Sequence, residues 1–352
     1  MAGWVSRIAG REPSHESPPV KRTVGATHGK GELNHGTEPG PQPDCTIDCA
    51  SHKRAGNGLG ESPMLNFELV WDSRCAVAES PVWDSVRGRL LFCDIYGQRI
   101  HTLSLGDGTR ETYELPEVVG SFGLCRSGKL VVALRHRVVL FDPQTRRVED
   151  LTGAVVEPRT NRMNDGKVGP DGAFWVGSMD ENTPRQPTGA LYRVSSDGRI
   201  ERKADGYAAS NGLAWSADGR IMYHSDSTAG VIEAWEFDPA TGRMSERREI
   251  ATLSSADGRP DGAATDVEGN YWSAGPSAGC INKFSPGGVL LEKLPFPVPG
   301  PTMPCFASQH LFVTTLREGK TPAVLQQFPT LGGLFRADAP VAGAPVAMFQ
   351  DS

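Results

Sequence analysis

Six short β-rich runs recur along the chain at near-constant spacing, and this repeat limits the possible folds more than any other feature. They read "RGRLLFCDI", "SGKLVVALR", "DGAFWVGSM", "DGRIMYHSD", "EGNYWSAGP" and "SQHLFVTTL". The turn glycines Gly88, Gly128, Gly172, Gly219 and Gly269 are separated by 40, 44, 47 and 50 residues, and the sixth run turns at Ser308-Gln309. Each run is followed by a second pair of β-patterned segments, such as "HRVVLFDPQTRRVEDL" and "GALYRVSSDGRIERKA". Val, Ile, Phe, Tyr and Trp bounded by Gly, Asp or Pro mark strands and turns. Four strands every 40 to 50 residues or so is the period of a propeller blade.

The repeat therefore predicts an all-β fold: a six-bladed β-propeller with four-stranded blades around a central channel, over residues 64–352. A two-sheet sandwich or two small β domains would leave six similar units unexplained. The segment "FELVW" near Met64 is expected to complete the last blade beside "APVAMF", closing the ring and removing its sheet edges. Residues 1–63 read differently, with four of the eight His, much Gly and Pro, and little hydrophobic periodicity. They are expected to form a disordered N-terminal extension, because such a segment buries too little apolar surface to offset its ordering entropy. A start codon assigned too early would also account for them.

Charge and composition remove several classes of function. The formal net charge is -6 with no polybasic tract, so there is no electrostatic footprint for nucleic acid. No apolar run approaches the roughly 20 residues that span a bilayer. Of seven Cys, Cys45 and Cys49 lie in the N-terminal extension at a spacing that argues only weakly for a metal, and five are scattered through the repeat. These features predict a soluble cytoplasmic protein, a monomer or small homo-oligomer, without nucleic-acid or membrane partners.

Counting back from each turn glycine exposes a second regularity. Asn164, Asn211 and Asp261 each stand eight residues before their glycine, and Glu79 stands nine before Gly88, whose turn is longer. Gly120 holds the matching place in the second unit and Cys305 that in the sixth, where a buried packing thiol is the simpler reading. Equivalent positions of successive blades lie on a ring, so Glu79, Asn164, Asn211 and Asp261 should face one another across the channel. Two carboxylates and two amide oxygens form a hard, oxygen-rich cluster that suits a divalent cation. A hydrogen-bonded ring without metal is the alternative. Asp171-Gly172 reads as a hairpin turn, His224 as a hydrogen-bonded core residue, and Asp165 receives no role. No G-x-S-x-G elbow points to serine catalysis.

The ordered pieces "AESPVWD", "NRMNDGKVGPDGAFWVGSM", "GALYRVSSDG", "SNGLAWSADGRIMYHSDS", "PDGAATDVEGNYW" and "GGLF" resemble the senescence-marker-protein/gluconolactonase/regucalcin family of metal-dependent lactonases. The resemblance covers nearly all of 64–352 and implies the same six-bladed propeller. It puts Glu79, Asn211 and Asp261 on the metal ligands, with Asp261 also the general base. The metal would be one divalent ion among Ca, Zn, Mn, Mg or Fe. Arg162, Asn164 and Asn182 fall on substrate-contacting positions, although Asn182 stands where some members carry a carboxylate. An ion pair with a carboxylate such as Glu157 is the structural alternative for Arg162. The implied activity is hydrolysis of an aldonolactone, such as glucono-, xylono- or arabinonolactone, to the aldonic acid in sugar catabolism. Another metal-dependent esterase or phosphotriesterase on the same scaffold, or a non-catalytic calcium-binding regulator, remain the alternatives.

Overall fold

Each repeated unit folds as one antiparallel sheet of four strands. The computed structural model describes residues 65–352, so the expectations for residues 1–63 and for the Cys45/Cys49 pair lie outside the described residues. β1 (Glu68–Trp71) comes first. Blade 1 is β2 (Ala78–Asp84), β3 (Arg89–Asp94), β4 (Arg99–Ser104) and β5 (Arg110–Glu114). Blade 2 is β6 (Ser121–Leu124), β7 (Leu130–Ala133), β8 (Val138–Phe141) and β9 (Val148–Asp150). Blade 3 holds β10 (Asn161–Val168), β11 (Phe174–Asp180), β12 (Gly189–Val194) and β13 (Ile200–Tyr207). Blade 4 holds β14 (Ser210–Trp215), β15 (Ile221–Asp226), β16 (Val231–Asp238) and β17 (Arg243–Thr252). Blade 5 follows with β18 (Ala263–Thr265), β19 (Tyr271–Gly275), β20 (Cys280–Phe284) and β21 (Leu290–Pro295). Blade 6 orders β22 (Pro301–Ala307), β23 (His310–Thr315), β24 (Leu334–Asp338) and then β1. Six four-stranded blades in a ring make a six-bladed propeller, and the single helix among the described residues, α1 (Pro322–Gln327), is a short turn between β23 and β24.

The strand period of two sets the packing. Alternate residues of one strand point into the two gaps beside its blade. In β3, Leu90 and Phe92 pack toward blade 6 while Leu91 and Cys93 pack toward blade 2. In β11, Phe174 and Val176 face blade 2 and Trp175 faces blade 4. The core among the described residues is accordingly six apolar clusters, one between each neighbouring pair of blades. Inner strands are buried on both faces and outer strands such as β9 and β17 are largely exposed, which is why the innermost runs carry the strongest repeat signal.

Closure is made by β1, but not against the segment expected. β1 pairs with β24, with Glu68 opposite Arg336 and an ion pair of 2.7 Å between them. "APVAMF" instead crosses the hairpin end of the channel. Val267 donates its amide to Ala342 O, Ala344 donates to Thr265 O, and Phe349 joins Cys125 in a parallel bridge. Two physical reasons separate the segments: Pro345 removes a ladder donor, and Phe349 is wholly buried in the cluster between blades 2 and 3. No helix among the described residues is long and apolar enough to cross a membrane.

Candidate active site

The channel opens on the face made by second-to-third-strand loops and blade-to-blade connections. There a cavity of about 430 Å³ is lined by Glu79, Arg162, Asn164, Asp165, Asn211 and Asp261, with Tyr96, Arg185, Ser227, Arg259 and Glu318 toward its mouth. A second cavity of about 230 Å³ lies at the hairpin end beneath the C-terminal segment. Its walls are mainly apolar, with Lys167 and Asp218 as charged lining residues, and Lys167 donates from Nζ to Ala263 O at 2.8 Å. Carboxylates and amides converge at the first cavity, so the chemistry belongs there.

Four of the six inner strands shift register where they reach this floor: at Glu79/Val82, Met163/Gly166, Asn211/Ala214 and Pro301/Met303. Such bulges turn the backbone and re-aim side chains beside a site. Ser80, directly after Glu79, takes a φ of +50°, a conformation costly for a residue with a side chain. Its amide donates to Glu79 Oε2 at 2.7 Å. Gly120 has no side chain because blade 3 passes too close: a Cβ there would collide with the carbonyl of Met163. The sixth blade contributes Thr302 at its register shift, hydrogen-bonded to Ala78 O and Thr314. Cys305 falls further along β22 and lines the apolar cavity.

The polar side chains form a continuous line across three blades. Asn164 Nδ2 donates to Asn211 Oδ1 at 3.2 Å and to Ser210 O at 2.9 Å. Asn211 Nδ2 donates to Asp261 Oδ1 at 2.8 Å and to Ser227 Oγ at 2.7 Å. Glu79 lines the same floor from blade 1 and is 5% exposed. Burial pushes its carboxyl well above the ordinary range, and the nearby Asp261 and Asp165 carboxylates push it further. Burial, then Asp165, pushes Asp261 up to about 7, against the pull of Arg185 and Arg162. Asp165 is itself raised by burial; Oδ2 accepts from the Leu213 amide at 2.9 Å and Oδ1 has no partner. It thus ties the inner strand of blade 3 to that of blade 4, the role the sequence did not reveal.

Burial and neighbouring carboxylates raise Glu79 and Asp261, burial raises Asp165, and Asp165 Oδ1 has no partner, so uncompensated negative charge is costly at this floor. Among the described residues no group of three His, Cys, Asp or Glu side chains gathers as a metal site, and the candidate set is two carboxylates and an amide. Glu79, Asn211 and Asp261 fit a hard cation by chemistry.

Arg162 is 4% exposed and held on three sides. Nη1 donates to Met163 O and to Asn164 Oδ1, at 2.9 and 2.7 Å, and Nε stands 3.2 Å from Glu181 Oε1 as an ion pair, out of line for a hydrogen bond. Its guanidinium lies over the Tyr96 ring. Glu157, the partner anticipated for it, is engaged instead by Asn161, Ser178 and Tyr192. Burial pushes Glu181 upward, but Arg135 and Arg162 outweigh it and hold the carboxyl below its usual range. Asn182 is exposed and outside the cavity lining; its amide donates to Asp180 Oδ1. Arg185, three residues on, reaches the cavity in its place. Sequence reasoning missed Arg185, Arg259 and Tyr96, since all three lie in loops outside the phase of the repeat. His224 is fully buried, bonded to Ser210 Oγ at 2.7 Å and to Glu233 at 3.2 Å, which is the core role expected of it.

Comparison with known proteins finds relatives over most of the chain. The chain is 36% identical over 281 residues to a 6-deoxy-6-sulfogluconolactonase of Pseudomonas putida, covering 78% of this chain and 94% of that protein. It is 32% identical to the regucalcin of Oryctolagus cuniculus, covering 77% and 94%. A calcium-binding protein, regucalcin, from Agrobacterium tumefaciens superposes with a TM-score of 0.76 at 21% identity, over 81% of this chain and 98% of its own, a likeness of fold. Residues 77–317 match the family described as SMP-30/Gluconolactonase/LRE-like region, and this chain belongs to that family.

Proposed function

We propose that the protein hydrolyses a sugar-acid lactone to the open aldonic acid with the help of one divalent cation. The observation that carries this reading is the Asn164–Asn211–Asp261 line beside buried Glu79, at the floor of a polar cavity. The relative named a sulfogluconolactonase supports it.

Glu79, Asn211 and Asp261 would hold the cation, which as a Lewis acid would polarise the lactone carbonyl. Asp261, with a carboxyl near 7, is matched to take a proton from water at neutral pH. The water oxygen bonds to the carbonyl carbon, the ring C–O bond breaks, and the ring oxygen leaves as a hydroxyl carrying the transferred proton. Arg162, fixed by Glu181 and Asn164, presents positive charge where the carbonyl oxygen becomes negative. Asn164 supplies an amide for sugar hydroxyls or the carbonyl.

A pH-stat screen of glucono-, xylono-, arabinono- and galactonolactone with Ca, Mg, Mn and Zn tests the reading. Metal-dependent turnover of at least one lactone, lost in Asp261→Asn, is expected. Full activity in Asp261→Asn, or no turnover of any lactone with any metal, overturns it.

A further inference from the structure

Charge at the mouth of the cavity is distributed unlike charge at its floor. The floor holds Glu79, Asp165 and Asp261; the mouth holds Arg185 and Arg259 against the single carboxylate Glu318. Arg162, deeper in, has its charge answered by Glu181. Among the described residues neither Arg185 nor Arg259 forms an ion pair.

Both arginines stand on backbone that is pinned. The loop bearing Arg185 is wound around Asp180, whose carboxylate accepts the amides of Asn182 and Gln186 at 3.1 and 2.8 Å. The Asp180 carbonyl accepts Arg185 Nε at 3.1 Å, which leaves the two terminal nitrogens of the guanidinium for another partner. The Arg259 amide donates to Ser277 Oγ at 2.8 Å, and Asn282 Nδ2 donates to Asp257 O at 3.0 Å behind it. Gly258 beside it needs its φ of +96° to make this turn, and a Cβ there would press on Cys280 Sγ. Two guanidinium tips on pinned backbone, lining one cavity without carboxylate partners, suit recognition of an oxyanion.

We propose that the substrate lactone carries a second, oxyanionic group on the carbon far from its carbonyl, and that Arg185 and Arg259 bind it. The inference rests on the lactonase reading, which sets the carbonyl at the floor and so directs the other end of the sugar to the mouth. A guanidinium fork accepts a carboxylate, a phosphate or a sulfonate alike, so the shared chemistry is a terminal oxyanion. The two arginines are specificity-determining residues; the floor does the chemistry.

The test compares kcat/KM for neutral glucono-1,5-lactone with that for glucaro-1,4-lactone, 6-phosphoglucono-1,5-lactone and 6-deoxy-6-sulfogluconolactone. At least one anionic lactone is expected to exceed the neutral one by about tenfold or more, the worth of one or two charged hydrogen bonds. Arg185→Gln and Arg259→Gln should each shrink that ratio about tenfold, and raising salt from about 50 to about 500 mM should narrow it. Calorimetry without turnover gives an independent reading: D-glucarate should bind more tightly than D-gluconate, and the difference should vanish in the double variant. A ratio at or below unity for all three anions, or one unchanged in the double variant, overturns the clamp while leaving the lactonase reading intact. If none of the four is hydrolysed, the calorimetric comparison decides the clamp alone, and the wider lactone and metal screen decides the lactonase reading.

Discussion

Asp261 serves two roles that pull on the same carboxylate. It must be ionised to hold a cation or accept a proton, yet burial and Asp165 push it up to about 7. Asp261→Asn keeps the acceptor for Asn211 but removes the charge, and kcat for lactone hydrolysis should fall by about 10²- to 10⁴-fold. Near-unchanged circular dichroism would separate this loss from unfolding. Glu233 is the opposite case. Burial pushes it up, but His224, Tyr207 and Arg247 outweigh burial and hold it at about 2. Its folded value lies below the unfolded value of about 4.3. The stability it contributes is therefore present above about pH 4.3 and is lost as pH falls toward 2. Urea unfolding of the wild type should weaken across that window, and Glu233→Gln should flatten the dependence while costing about 3 kcal/mol at neutral pH, because Arg247 and His224 lose their partner.

At the scale of elements, two segments at opposite ends of the described chain hold the ring together. β1 supplies the outer strand of blade 6 through the Glu68–Arg336 pairing. Without it β24 presents an unpaired edge. Deletion through Trp71 should lower the melting temperature, measured by calorimetry, and promote aggregation. The C-terminal segment acts differently, laying Ala344–Ala347 over the apolar cavity and seating Phe349 between blades 2 and 3. Phe349→Ala should cost about 3–5 kcal/mol through the cavity it leaves. The polar cavity proposed to take lactone lies at the other end of the channel, so KM for lactone should be unchanged in that variant; a large shift would show that the two ends communicate.

For the whole molecule, the propeller stores repulsion on its axis. In metal-free protein the folded state keeps a proton on Asp261 between about pH 4 and 7 that the unfolded chain has already released, so stability from this site falls as pH rises through that window. A divalent cation held by Glu79 and Asp261, as proposed, would remove the penalty. Adding metal should therefore raise the melting temperature more at pH 8 than at pH 5, and binding near pH 6 should release protons, measurable by calorimetry in buffers of different ionisation enthalpy. Equal stabilisation at both pH values would argue against Glu79 and Asp261 as ligands. The blade count follows from local residue pattern alone, because inner strands buried on both faces admit few residue types and so repeat visibly. The same pattern puts Glu79, Asn164, Asn211 and Asp261 in one phase, since a fixed offset within a blade becomes a ring around the axis. The surroundings of that ring, by contrast, come from contacts between distant parts of the chain. The partner of β1 depended on which segment could offer a full ladder, the role of Asp165 on a backbone amide 48 residues away, and the presence of Arg185 on a loop wound around Asp180. Loops carry no period, and contacts between blades join residues that no local pattern relates, so their chemistry is fixed when the ring closes.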